Sequence, residues 1–411
     1  MTAAIVAATH PNADVVGIDA MPEHVVHARK LCEQAGIGNI DVRHASFGSP
    51  ALRALPQFEY IVAHGVYTWV SPAARADLRA FVDRHLKPGG LVYLSYNAMP
   101  GWAADVPLQR LLRELAAAAS GDSVARFAAA AAVAATMTDA GARALLASPM
   151  ARSGLAKRRE TLDRAYFPHE YLLAAWQPLY VTDVRALLQD IGLTPVGSAT
   201  TCDNFDSYTI GRRGREVLAT LEDADLRELA RDFFRGTMFR RDVFSRDARA
   251  ITDEERRTRL FATTYHLGRP AETIGYAMTT PAGVVGFDTA AAHHIVASLA
   301  AGPRRLADLQ EDRFAAGDLL ANTLALCAAG HVQPVAGGAA PVEQLNRILA
   351  DRVDPFPYRV SPSGTAIRIG SQPAGGRDED ASASHQAEWE RFFEAHGMGL
   401  PAFGHGGRSE K

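Results

Sequence analysis

An α/β fold built around a mostly parallel sheet is what this chain predicts, on three observations. Short apolar runs alternate with amphipathic helical stretches from residue 13 to about residue 115. The first run, Ala13–Asp19 (ADVVGID), has the make-up of a buried strand and ends in an acid. A tight turn, Lys87-Pro88-Gly89-Gly90, leads into a second strand-like run, Leu91–Ser95. Alternation of this kind marks βαβ units.

The elements follow in order. Residues 1–10 read as the tail of a helix closed by His10-Pro11-Asn12, since proline just past a helix end is a common stop. After the strand at 13–19, Pro22–Ala35 forms a helix with proline in its first turn and Gly36 at its end, the usual asymmetry. Ile40–His44 is a short strand and Tyr60–Ala63 a buried one. Ala73–His85 is amphipathic, with Leu78, Phe81 and Val82 on one face. From about 104 to 160 the chain is helical and rich in alanine, with basic residues near 152–159, and reads as an inserted helical subdomain. Alternation resumes with a helix at Val184–Asp190 and strands at Leu193–Gly197 and Ser207–Ile210, expected to be the last two strands of the same sheet. A charged helical segment runs from 216 to about 260. Residues 287–335 resemble a small winged-helix-like module, with helices Thr289–Ala300 and Ala316–Ala328. Beyond about Gly370 the Gly, Ser, Asp and Arg content predicts disorder, interrupted by a short helix near Trp389–Phe393. The expected organisation is a core at 1–115, a helical insertion at 116–165, the end of the core at 166–212, and α-rich segments at 213–290 and 291–370 before a tail at 371–411.

Composition narrows the function classes. The 411 residues leave room for two or three domains. Apolar content of 47% and charged content of 22% are ordinary for a globular protein, and a net charge of −3 gives no argument for a polyanionic partner. Arg231–Arg259 is rich in arginine with interleaved phenylalanines, but Asp232, Asp242, Asp247, Asp253, Glu254 and Glu255 offset that charge. The expectation there is a salt-bridged helix packed through its phenylalanines, with no nucleic-acid role. Fourteen histidines are scattered without metal-ligand spacing, so no metal site is expected. Cys32, Cys202 and Cys327 lie far apart, which fits a reducing cytoplasm. There is no secretory leader pattern, and no apolar run approaches the ~18–20 residues that span a bilayer.

Residues 58–102 are the densest in chemistry. One strand ends in Ala63-His64-Gly65 and is followed at once by Tyr67 and Trp69. Another ends in Ser95-Tyr96-Asn97, before Pro100-Gly101-Trp102. Ligands of open α/β sheets bind at the carboxyl ends of strands. An aromatic rim there suits a cationic or apolar group, although each of these aromatics equally suits a core position beneath the insertion.

At this point the order of motifs resembles the class I S-adenosylmethionine-dependent methyltransferases, with their Rossmann-like sheet. Within them it is similar to the bacterial group carrying a methyltransferase regulatory domain, which includes lysine methyltransferases of rickettsial outer-membrane proteins. The matching stretches are VVGIDAMPEHVVHAR, EYIVAHGVYTWV, LKPGGLVYLSYNAMPGW, YFPHEYLL and GSATTCDNFD, and LRELARDFFRGTMFRRDVFSR resembles the start of the regulatory domain. The resemblance implies S-adenosyl-L-methionine as cofactor and a protein or small-molecule methyl acceptor. It places Asp19 and Ala20 at the ribose; the alternative for Asp19 is a cap on the next helix. It places Ala45, Ser46 and Phe47 at the adenine, with Ser46 standing where many relatives carry an acid. Ala63, His64 and Gly65 fall where the methionine end is held, with His64 either a base or a positioning residue. Tyr67, Trp69, Tyr96 and Trp102 become candidates for an aromatic acceptor pocket, and the 104–160 insertion for a homodimer surface.

The same resemblance implies a first strand and a glycine-rich loop ahead of Ala13, where only twelve residues stand. Two readings follow. Either the true protein extends about 50 residues upstream, the size of a first βα unit, or the chain is a degenerate, non-catalytic relative acting as a binding or regulatory module.

Overall fold

The β-branched residues Val15, Val16 and Ile18 make Val15–Asp19 a strand that pairs in parallel with Ile40–His44, Val15 facing Ile40 and Asp19 facing His44. The structure, a computed structural model, describes residues 2–153, 166–335, 342–350, 358–361 and 366–368. Its strands are β1 (Val15–Asp19), β2 (Ile40–His44), β3 (Phe58–Ala63), β4 (Leu86–Asn97), β5 (Leu193–Ser198), β6 (Phe239–Arg246), β7 (Thr264–Leu267), β8 (Ala277–Thr280), β9 (Gly283–Gly286), β10 (Arg304–Arg305), β11 (Val332–Pro334), β12 (Tyr358–Val360) and β13 (Ala366–Arg368). The fold is mixed α/β, and the chain divides into two compact units. One holds residues 1–49, 250–279 and 284–411; the other holds 50–249 with 280–283.

In the first unit the crossover between β1 and β2 is the helix Pro22–Gln34, with proline at its start as expected. Its Leu31 and Cys32 share a core with Ala4 and Ala8 of the helix Thr2–Thr9 and with Val342, Leu345 and Leu349 of the helix Val342–Ala350. Asn39 fixes the approach to β2 by donating through Nδ2 to the carbonyls of Ala7, His10 and Ala13 at 3.2, 3.0 and 2.8 Å. The same unit contains the helices Ala290–Leu299 and Ala316–Ala328, both near their expected bounds. They accompany a three-stranded antiparallel sheet in which β7 lies between β10 and β11. The central strand of that small module therefore comes from residues 264–267. The predicted tail at 371–411, its helix near Trp389, and most of the basic stretch at 152–159 lie outside the described residues.

The second unit carries a four-stranded sheet in the order β3-β4-β6-β5. β3 and β4 run parallel, joined by the helix Pro72–His85, whose Leu78, Phe81 and Val82 are buried as its pattern predicts. Ser71 caps that helix by accepting from Ala74 N at 3.2 Å. β6 is antiparallel to both of its neighbours.

Two expectations are corrected here. Ser207–Ile210 is not a strand: Asp206–Thr209 is a short helix, and Arg231 clamps the Asp206 carboxylate at its start at 2.9 Å. The last strand is instead β6, inside the segment read as one charged helix from 216 to about 260. That segment divides into a helix at Ala224–Arg235, β6, and a helix at Asp253–Ala262. Gly236, at φ 61°, ends the first helix in the left-handed conformation that favours glycine. Beyond it, Phe239–Arg246 buries alternate residues, and the pattern was masked because two of those residues, Arg240 and Asp242, are charged.

The alanine-rich insertion is helical as predicted, with helices Val106–Ala117, Ser123–Asp139, Arg143–Ala147 and Pro149–Arg152. Leu108, Leu112, Phe127, Phe167 and Tyr171 form its core, together with Trp102 and Trp176. Asp105, almost fully buried, ties the insertion internally by accepting from Ser148 Oγ and from Met150 N at 3.2 Å. Gly101 sits where a Cβ would come within 2.3 Å of the Thr237 carbonyl oxygen, so no larger residue fits at this approach of two backbones. Among the described residues, no helix is long and apolar enough to cross a membrane.

Candidate active site

Strand alternation decides which predicted site residues share a surface. Successive side chains of β4 point to opposite faces, so Tyr93, Ser95 and Asn97 lie on one face and Leu94 and Tyr96 on the other. Ser95 stands opposite Arg241 of β6, and Asn97 opposite Phe239, on the first face. Tyr96 stands opposite Arg240 on the second.

The first face carries a polar cluster at the carboxyl end of β3. His64 follows that strand directly, and its Nδ1 lies 2.9 Å from Tyr93 Oη and 3.3 Å from Ser95 Oγ. Ser95 Oγ accepts from Gly65 N at 2.8 Å. Phe239 meets the His64 ring edge-on, and Arg241 lies over Phe239. Gly65 turns the chain at φ 63°, the left-handed region that favours glycine, and lies in van der Waals range of the Trp69 ring. Trp69 stacks on His169 with ring centroids 5.6 Å apart, and the indole Nε1 is buried with no hydrogen-bond partner among the described residues. Below this rim, the Asn97 side-chain amide donates to Glu170, which also accepts from Trp176 Nε1 at 2.8 Å.

The remaining aromatic candidates are interior. Tyr96 is fully buried, and its hydroxyl donates to Asp242 at 2.7 Å. Trp102 packs edge-on against Trp176 and donates its Nε1 to the Met238 carbonyl at 2.8 Å. Tyr67 is buried beside Arg75. Of the four aromatics, Trp69 is the one at the partly open rim. Its stacking partner His169, and the neighbouring Glu170 that holds Asn97 and Trp176, lie in the YFPHEY stretch, which the sequence flagged only as a matching motif. Tyr93, Ser95, Phe239 and Arg241 were also missed, because their grouping depends on the β4–β6 register.

Beneath the second face lies a buried ion network. The Arg240 guanidinium, 7% exposed, bonds Glu228 and Asp232 at 2.6 Å each and Asp242 at 2.9 Å. Burial by itself would raise the Glu228 carboxyl, but Arg240, Arg185 and Arg231 together overcome it and lower its pKa to about 2. Asp232 shares Arg240 but lies next to the Glu228 charge, and burial raises it to about 6.

In the first unit, Asp19 ends β1 with its side chain 44% exposed. Its Oδ1 accepts from Met21 N at 2.8 Å and its Oδ2 lies 3.2 Å from His24 Nδ1. The carboxylate therefore does anchor the start of the following helix, yet it retains exposed lone pairs that can receive further donors. Ala20 receives His44 Nε2 on its carbonyl at 3.1 Å. Ala45 N donates to the Asp19 carbonyl at 3.0 Å, and Ser46 and Phe47 continue from β2.

Burial, reinforced by Arg241, holds the His64 imidazole below its ordinary pKa, so the ring is neutral at pH 7. Removing the cation favours the protonated form. Arg241→Gln is expected to move the His64 midpoint upward in an NMR pH titration, whereas an unchanged midpoint would leave burial as the sole cause.

Comparison with known proteins places these features in context. Residues 1–90 match a family described as a methyltransferase domain, and residues 163–246 match a predicted methyltransferase regulatory domain. An uncharacterised protein of Synechocystis is 33% identical over 308 residues, which cover 75% of this chain and 61% of that relative. An uncharacterised protein of Rickettsia prowazekii is 34% identical over 96 residues, 23% of this chain and 17% of that relative. The chain thus spans less than two thirds of the length of either. Among solved structures, PKMT2 from Rickettsia typhi in complex with AdoHcy shares the fold, with a TM-score of 0.66 at 18% identity over 89% of this chain and 77% of that one. A second structure of PKMT2 from Rickettsia typhi gives a TM-score of 0.63 at 19% identity, with the same coverage.

Proposed function

Because this chain belongs to the class I S-adenosylmethionine-dependent methyltransferases that carry a methyltransferase regulatory domain, we propose that it transfers a methyl group from S-adenosylmethionine to a lysine amine of a protein. The observation that carries the reading is the rim of Trp69, His169 and Gly65 at the carboxyl end of β3, above the buried Asn97–Glu170 pair. The solved relative described as a complex with AdoHcy supports the cofactor class.

The residues present fit that cofactor at one testable point. Asp19 offers exposed carboxylate oxygens at the end of a β-strand, the chemistry a ribose diol requires. When bound, S-adenosylmethionine supplies a methyl group already activated by a positive sulfur. The protein's task is then alignment and exclusion of water. Trp69 and His169 form a stacked aromatic pair at a partly open rim, a flat apolar surface against which an acceptor chain can lie. Low polarity beside the indole favours the neutral amine over the ammonium. His64 acts in this account as a positioning group and not as the base.

The test is to incubate the full chain with methyl-labelled S-adenosylmethionine and a bacterial protein extract. Label on lysine Nε of protein is the expected result. Label confined to small molecules would overturn the protein-lysine assignment.

A further inference from the structure

Beside the buried ion network the second unit holds a cavity of about 170 Å³, walled by the end of β5, the turn that follows it, the helix Ala224–Arg235 and β6. Arg240 and Asp242 stand in its wall, so it lies on the Tyr96 face of the sheet and not on the face that carries His64, Tyr93 and Ser95. Asn204 holds the turn in place, accepting from Ser198 N at 2.9 Å and donating to the Ser198 carbonyl at 2.8 Å. The charges of the wall do not balance. Three guanidiniums, those of Arg185, Arg231 and Arg240, accompany four carboxylates. The guanidiniums are bonded to Asp206, Glu228 and Asp242. The fourth carboxylate, Asp203, forms no ion pair among the described residues, and the Cys202 thiol lies 3.8 Å from it. Arg235 reaches only the Asp203 backbone carbonyl, at 2.9 Å, and pairs its charge with Asp206. Burial accordingly holds the Asp203 carboxyl above its ordinary pKa, against the pull of Arg235 and Arg240.

We propose that this cavity binds a small organic cation with N–H donors, an alkylammonium or a guanidinium group, and that Asp203 is its acceptor. A half-buried carboxylate without a cation carries a desolvation cost that a bound cation offsets. Its two oxygens match the three donors of an ammonium or the fork of a guanidinium. A water's share of the liquid is about 30 Å³, so the cavity has room for a group several times that size. Among the described residues no cluster of His, Cys, Asp and Glu is arranged to hold a metal ion, which favours an organic cation. The proposal rests on the cavity and its charges and not on the methyl-transfer reading.

The test titrates the full chain with ethylammonium chloride and with guanidinium chloride, each against potassium chloride at equal ionic strength, and follows the backbone amides by NMR. Saturable shifts at Ser198, Asp203 and Asn204 are expected with at least one of the two organic cations and not with potassium. A response to ethylammonium alone assigns an ammonium ligand, and a response to guanidinium alone assigns a guanidinium. Asp203→Asn, which keeps the shape of the side chain and removes its charge, is expected to weaken that binding at least about tenfold, as for loss of a charged hydrogen bond. No shift at these amides, shifts that do not saturate, shifts that potassium reproduces, or binding that Asp203→Asn leaves unchanged would overturn the proposal. Should the variant fail to fold, the position and saturation of the shifts on the parent decide alone.

Discussion

Arg240→Met is expected to cost about 3–5 kcal/mol of stability, the usual result of removing one partner from a buried ion pair. Glu228, Asp232 and Asp242 would be left in the interior without the cation that they share. The pH dependence follows from the same loss. Without Arg240, which lowers both, the folded-state pKa values of Glu228 and Asp232 climb, so the folded state binds extra protons. Stability then falls as pH climbs through the unfolded carboxyl range. The deficit against the parent should therefore be small near pH 4 and large at pH 7. In the parent, Glu228 works in the opposite sense: its pKa of about 2 gives stability that is present above its unfolded value and lost as pH falls towards 2. Denaturant unfolding at the two pH values checks this, and an equal deficit at both would show that the network holds no uncompensated charge.

Trp69→Ala is expected to lower methyl transfer about a hundredfold, the scale on which a misaligned acceptor loses rate, and to cost some stability as well, since the indole packs against the core of the helical insertion. Tyr96→Phe should lose stability alone. Its hydroxyl supports buried Asp242 on the opposite face of β4, so that variant should lose about 1–3 kcal/mol, the cost of an unsatisfied buried acceptor, and keep its turnover. Single-turnover rates and melting curves on the two proteins separate these roles. A Tyr96→Phe enzyme that is stable but inactive would return Tyr96 to the acceptor pocket.

These two variants also show what was legible in the sequence. Apolar runs located β1 to β5, but not their burial: β3, expected to be a buried strand, leaves Tyr60 70% and Val62 53% exposed, and β1 is half-buried throughout. β6 escaped notice because its buried face carries Arg240 and Asp242, which a hydropathy pattern counts as exposed. Only the opposed strands show that each charge has its partner. The aromatic candidates were found as a group but not sorted. Tyr96 and Asn97 are neighbours in sequence yet face opposite sides of the sheet, and Trp102 is consumed by the core of the helical insertion. His64 was visible as a residue following a strand. Its contacts with Tyr93 and Ser95 were not, since those residues meet it only once β3 and β4 are paired. Asp19 was read as either a ribose acceptor or a helix cap, and the geometry shows the capping contact beside a still accessible carboxylate.

The most direct test of the account is calorimetric binding of S-adenosylhomocysteine to the full chain and to its Asp19→Ala variant. The account predicts saturable one-to-one binding by the parent and at least about tenfold weaker binding by the variant, from the loss of hydrogen bonds to a charged acceptor, with the same melting temperature within a few degrees. Absence of binding by the parent, or equal binding by both proteins, would contradict it.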